Sequence, residues 1–197
     1  METLGTFILA ALALTGSPGP NTLSMAGVGA AFGRRRGFRY MVGLNIGMAA
    51  VITVVGTGVS GLLFAVPGAA PVISVMAGAY FVVLAYRIAT APALTDTGAP
   101  GSEPKWYEGT FLSLVNPKAY AAMAALFSGF VLIDDDPAAD GILKAALLMA
   151  MIIFVNVCWL YAGSLLTRVM RHERAHRAIN LTFAGLLIAS VAVAIML

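Results

Sequence analysis

The chain reads as an all-α integral membrane protein of six transmembrane helices, arranged as two inverted three-helix repeats with helices 1 and 4 broken. Three observations predict this. Of the 197 residues, 60% are hydrophobic and 11% charged, with mean hydropathy +0.90; soluble domains run near half apolar and a quarter charged. A soluble fold of this length has too little interior to hide that surface, so lipid is the expected solvent. Apolar segments of about the 20 residues needed to span a bilayer recur along the chain. The basic residues gather in alternate connections, as topology signals do.

Taken in order, the first helix is expected from about Thr3 to Phe32, interrupted at Ser17-Pro18-Gly19-Pro20. Ala11 and Ala13 resemble a signal-peptide cleavage site, but the start carries Glu2 and no Lys or Arg, so a retained helix is expected. The second helix runs from about Phe38 to Val66 and the third from about Ala69 to Thr90. Ala91 to Lys105, rich in Pro, Gly, Thr and Ser, is an exposed connection. The fourth helix runs from about Glu108 to Ile133, is interrupted at Asn116-Pro117, and is stopped by Asp134-Asp135-Asp136-Pro137. The fifth runs from Ile142 to Thr167 and the sixth from Ala178 to Leu197. Residues 1–95 then form the first repeat, 96–107 the connecting cytoplasmic loop, and 108–197 the second repeat.

Ten of the twelve basic residues fall after helices one, three and five: Arg34, Arg35, Arg36, Arg39, Arg87, Lys105, Arg168, Arg171, Arg174 and Arg177. The opposite side offers Lys144, beside Asp134, Asp135, Asp136 and Asp140. The Arg-rich connections are therefore cytoplasmic and both termini outside. The mild net charge of +3 is accounted for by these anchors and is no nucleic-acid footprint. The lone Cys158 can form no intrachain disulfide, which excludes dithiol redox chemistry.

Three spans per half force the halves into opposite orientations, and the two interruptions occupy matching slots. Paired Gly/Pro breaks in corresponding helices are the sequence mark of a transporter binding site. Ser17 is read as a helix cap with Pro18 at the first helical position and Pro20 in the same turn; Asn116 and Pro117 repeat the arrangement. Each break starts a half-helix whose dipole offers partial positive charge to a carboxylate. Lys118, just after the second break, either snorkels to the cytoplasmic face or adds a full charge to the site. The alternative for the breaks is a pair of kinks that only shape the bundle.

No carboxylate is left in a helix interior, and His172 and His176 lie in an Arg-rich loop. That removes a metal-protease motif, an intramembrane aspartyl pair and a Ser/His/Asp triad, so neither an enzyme, a metal site nor a cofactor is expected. The remaining interior polar groups are Asn45, Asn156, Thr53, Thr57, Ser113 and Tyr161. Buried amides in lipid either join helices or line a path, and both roles stay open for Asn45 and Asn156. Gly43 and Gly47 give helix two a smooth strip for close packing.

Ser17-Pro18-Gly19-Pro20-Asn21, Gly33-Arg34-Arg35-Arg36-Gly37 and the pair Gly43 and Gly47 resemble the N-terminal half of the LysE/RhtB amino-acid exporters. Ala77-Gly78-Ala79-Tyr80 before Arg87, Gly109 with Asn116-Pro117-Lys118-Ala119, and the Arg-rich loop leading to Asn180 and Gly185 extend the resemblance over the whole chain. It implies a multi-pass transporter of the bacterial inner membrane that exports amino acids or derivatives, coupled to protons. Asn21 stands where many members carry Asp, which withdraws that position from proton coupling. The expected partners are the bilayer, an amino acid and a coupling proton; homo-oligomerisation stays open.

The site is expected to use Ser17, Pro18, Gly19, Pro20, Asn21, Asn45, Asn116, Pro117, Lys118 and Asn156. With no interior acid to pair a cationic side chain, a neutral, zwitterionic amino acid is favoured. A passive channel or facilitator on the same scaffold is the alternative, separated by gradient-driven uptake into liposomes. A C-terminal reporter that works only in the cytoplasm should stay silent; activity there would overturn the six-span arrangement.

Overall fold

A computed structural model describes residues 2–58, 75, 79, 82–86, 89–90, 104–169, 177–178, 181–186 and 188–189. Among these all regular structure is helical. We number the elements α1 (Glu2–Gly16), α2 (Pro20–Gly56), α3 (Trp106–Leu114), α4 (Pro117–Gly129) and α5 (Pro137–Val169). Most of the expected third and sixth helices lies outside the described residues; 82–86 and 181–186 are helical within them. By length and composition, Pro20–Gly56 and Pro137–Leu165 are long and apolar enough to cross a membrane, and Thr3–Gly16 is a shorter apolar helix.

The expected loop between helices one and two is a single residue. Gly33 sits at φ 76°, ψ 174° inside α2, a left-handed backbone that favours glycine. The chain turns back there: a Cβ on Gly37 would lie 3.6 Å from the side chains of both Met25 and Val28. A continuous helix would hold residues 28 and 37 about 13 Å apart. Arg34, Arg35, Arg36 and Arg39 are consequently helical, in the first turns of the returning segment. That segment ends at Gly56, earlier than the expected Val66, where Gly58 takes φ 76° and its N–H donates to the Val55 carbonyl at 3.0 Å.

Other boundaries move for equally local reasons. α4 stops at Gly129, short of the expected Ile133. α5 starts at Pro137, ahead of the expected Ile142, because Asp136 Oδ1 accepts from the N–H groups of Ala138 and Ala139, both at 3.0 Å. Asp140 and Lys144 are not the exposed outer charges that their sequence positions suggest. Both are buried, with Lys144 Nζ 2.7 Å from Asp140 Oδ2. Lys144 also donates to the carbonyls of Phe127 and Phe130, and Asp140 accepts from Leu132 and Ile133 N–H. This pair satisfies the C-terminal end of α4 and the turn that follows.

Among the described residues the core falls into two apolar clusters. One contains Leu23, Met25, Val28, Tyr40, Leu44, Leu112, Val115 and Leu160; the other contains Phe7, Ala11, Met48, Ile52, Ala119, Met123, Leu148 and Ile152. Their order along the chain gives direction. From α1 into α2 the chain passes from the second cluster to the first, and after Gly33 it returns. Through α3 and α4 it passes from first to second, and α5 goes back. The broken pair α1–α2 therefore runs opposite to the broken pair α3–α4. At every changeover stands polar chemistry: Ser17 to Asn21, Asn45, Asn116 to Lys118, and Asn156. These residues form one polar layer between two apolar ones.

Glycines hold the layers close. A Cβ on Gly43 would collide with the Trp106 carbonyl; one on Gly47 would lie 2.5 Å from Thr110 O, and one on Gly109 2.5 Å from Tyr40 O. The same holds between α2 and α5, where Gly29 meets Leu160 O at 2.6 Å and Gly163 abuts Ala26 O. Thr110 Oγ1 crosses the first contact to donate to Gly43 O at 3.0 Å. Thr53 and Thr57, expected inside, are exposed and bond their own helix at Ala49 O and Thr53 O. Tyr161 is likewise half exposed, with Arg34 stacked 5.1 Å above its ring. Because the Gly43 contact is with backbone, no rotamer change relieves it. Gly43→Ala should cost about 3 kcal/mol, the upper range for overpacking. Gly5→Ala, where a Cβ meets nothing within 4 Å, should be neutral or stabilising by up to about 1 kcal/mol. Thermal unfolding of the two variants in detergent checks the contrast.

Candidate functional site at the two helix breaks

The first break spans three residues between Gly16 and Pro20. Its cap is Gly19 and its first helical residue Pro20, which corrects the expectation of Ser17 and Pro18. Ser17 stays in the register of α1: its N–H reaches Ala13 O at 3.1 Å and its hydroxyl donates to Leu14 O at 3.0 Å. Gly19 has no side chain to cap with, so Thr22 closes the turn from the other side. Its Oγ1 accepts from Gly19 N–H at 2.9 Å, while Leu23 N–H returns to Gly19 O at 2.8 Å. The second break, Val115-Asn116, follows the expected pattern. Asn116 is the cap, its Oδ1 accepting from Lys118 N–H at 3.2 Å, and Pro117 opens α4.

A directed chain of side-chain hydrogen bonds joins the breaks. Because Asn116 Oδ1 is held by the Lys118 amide, its Nδ2 faces outward and donates to Asn21 Oδ1 at 2.9 Å. That orients Asn21, whose Nδ2 donates to Ser113 Oγ at 3.0 Å. Ser113, fully buried, passes its own proton to Leu44 O at 3.0 Å. Each member has its orientation set by the one before it. In the same layer Asn156 Nδ2 donates to Asn45 Oδ1 at 2.7 Å, tying α5 to the returning half of α2.

Lys118 neither snorkels to the surface nor presents a free charge. Its Nζ points into the first break and donates to Ser17 O at 2.9 Å, Ser17 Oγ at 2.7 Å and Pro18 O at 3.0 Å. The side chain crosses Gly19 so closely that a Cβ there would lie 2.8 Å from both Lys118 Cδ and Nζ. Trp159 adds a donor to the same helix end, its indole N–H reaching Gly16 O at 3.3 Å.

A cavity of about 50 Å³ opens at this level, between Ser17, Gly19, Pro20, Asn21, Asn116, Lys118 and Asn156 on its polar side and Met48, Met123 and Ile152 on its apolar side. Of the expected site residues the structure gathers seven around this space. Asn45 reaches it through Asn156, Pro117 supports it as the first residue of α4, and Pro18 is exposed at its edge. No Asp or Glu lines it. Thr22, Ser113 and Trp159 belong to the constellation and were not expected in it. Thr22 stands three residues after the cap, where a reciprocal bond falls. A Trp N–H taken even partly out of water demands a partner, which is the signal for the half-buried Trp159. Chemically, the layer offers two helix starts of positive polarity, four amide side chains and no anionic counter-group.

The chain matches the LysE type translocator family over residues 12–197. The cysteine/O-acetylserine efflux protein of Salmonella typhimurium (strain LT2) is 31% identical over 173 residues, covering 87% of this chain and 87% of that one. The protein of the same description from Escherichia coli (strain K12) is 31% identical over 174 residues with the same coverage, and that from Escherichia coli O139:H28 (strain E24377A / ETEC) is 32% identical over 174. No solved structure matches. With its family match across nearly the whole chain and efflux proteins among its relatives, this chain is a member of the LysE-type translocators, a membrane transporter and not an enzyme.

Proposed function

We propose that this protein exports neutral, zwitterionic amino acids across the bacterial inner membrane, binding them in the polar layer between the two breaks. The observation that carries the reading is the composition of that layer: two helix starts and several amides, and no carboxylate on the cavity wall. The substrate carboxylate is met by the positive ends of α2 and α4. Its ammonium group is met by side-chain amide oxygens of the layer, that of Asn156 foremost, whose Nδ2 already serves Asn45. A lysine or arginine side chain would add a second cation with no anion to receive it, at a cost of several kcal/mol. Cysteine and O-acetylserine, the compounds named for the relatives, are both neutral zwitterions near pH 7, and the reading extends to that class.

The transport cycle we infer is alternating access of two inverted halves, 1–95 and 108–197, with both termini outside. Its support is the antiparallel run of the two broken pairs. The cavity, at about 50 Å³, is far below the roughly 300–1,000 Å³ of ligand sites. A substrate therefore enters when the walls part, and the layer is the plane on which they part. Asn21 leaves the layer without an acid to carry a proton, so we place proton coupling, where it operates, at another group.

Counterflow in proteoliposomes tests the substrate class. Labelled cysteine, O-acetylserine, threonine or leucine should exchange at least about tenfold faster than labelled lysine, a difference of about 1.4 kcal/mol. Preference for lysine would sink the reading. Asn21→Asp should shift the preference toward cations and steepen the pH dependence. An Asn21→Asp protein with unchanged selectivity would remove the breaks from the site.

A further inference from the structure

The position of Lys118 is unfavourable for its own helix. It is the second residue of α4, where the positive end of that helix disfavours a cation. α1, in contrast, ends without any basic residue in its last turn, and its negative end is only half-buried, with Pro18 exposed. Lys118 reaches across to supply that charge. All three ammonium protons are used, on two backbone carbonyls and one hydroxyl belonging to consecutive residues. Unwound carbonyls at the C-terminal end of a half-helix are the chemistry by which broken-helix transporters hold a coupling cation. Here the oxygens are present and a side chain of the protein already occupies them. The missing Cβ of Gly19 is what lets the Lys118 stem lie across the break.

We propose that Ser17 O, Ser17 Oγ and Pro18 O form a monovalent-cation site that the Lys118 ammonium fills permanently, as a tethered ion. A free cation such as sodium then has no place to bind there, and transport proceeds without it. Removing the tether opens the site to a small cation from solution. The functional half of this inference rests on the transporter reading; the binding half does not.

The test begins with thermal unfolding of purified Lys118→Met, which keeps the stem and removes the charge, in sodium, methylammonium or tetramethylammonium chloride at equal ionic strength. Methylammonium reproduces the three donors of lysine, sodium supplies a bare cation, and tetramethylammonium has no donor and is too large. The variant should melt below the unmodified protein. Methylammonium or sodium at about tenfold excess over its dissociation constant should raise it by about 3–5 °C, and tetramethylammonium should not. The unmodified protein should melt alike in all three. A variant that responds no more than the unmodified protein overturns the site.

Since loss of the strap endangers folding, Lys118→Cys in a Cys158→Ala background is the second variant. Treatment with 2-bromoethylamine, which restores an ammonium at nearly the original reach, should recover the melting temperature. Equal recovery with neutral iodoacetamide overturns the role of charge. In counterflow, the unmodified protein should keep its rate within twofold when choline replaces sodium on both sides. Sodium dependence there overturns the tethered-ion inference and leaves the exporter reading standing. Absence of amino-acid counterflow would remove the exporter reading and leave the melting result intact.

Discussion

Breaking a helix at membrane depth frees carbonyls and amides where no water can take them, and each one left alone costs several kcal/mol. The three carbonyls at the end of α1 pose this problem, and much of the architecture follows from its solution. Gly16 O is met by Trp159 from α5; Ser17 O and Pro18 O are met by Lys118 from α4. Thr22 adds a local bond to Ser17 O at 3.3 Å, but Gly16 O and Pro18 O draw their donors from the far half of the chain, so the first break is fully satisfied only when α4 and α5 are in place. The second break is satisfied locally, by Asn116, and then lends its remaining amide to Asn21. The two breaks are thus unequal. One is self-capped and the other depends on it.

The glycines serve the same end. Hydrogen bonds of 2.7–3.0 Å from side chains as short as Ser, Thr and Asn to a neighbouring helix's carbonyls or amides require backbones that nearly touch. Gly43, Gly47 and Gly109 remove the Cβ atoms that would hold α2 and α3 apart, and Gly29 and Gly163 do so for α2 and α5. In lipid, where burial of apolar side chains gives helices little reason to associate, this close approach is itself a main source of cohesion. The polar layer and the glycine contacts are therefore one design: the second creates the spacing in which the first closes.

Much of this was legible in the residues. The positions of both breaks, the Asn116 cap and the packing role of Gly43 and Gly47 followed from proline chemistry and from small-residue spacing. What the sequence could not disclose was long-range partnership. Lys118 has two plausible fates on its own helix, and only the arrival of Ser17, a hundred positions earlier, decides between them. Asp140 and Lys144 looked like surface charges because nothing local marks the carbonyls of Phe127 and Phe130 as acceptors. The cap of the first break moved by two residues because Ser17 and Gly19 both suit the role, and the backward bonds of Ser17 to α1 tipped the choice. Ser113 read as one more interior hydroxyl until Asn21 and Leu44 O were seen on either side of it.

The order of synthesis gives the strap across the breaks a consequence of a different kind. Ser17 leaves the ribosome 101 residues ahead of Lys118. At about 5–20 residues per second, that is roughly 5–20 s during which the end of α1 exists without its permanent donor. A nascent first half must therefore sit where water, the insertion machinery or lipid headgroups still reach that helix end. It settles to full depth only when the second half delivers its lysine, so burial of that helix end waits for residue 118 of the 197.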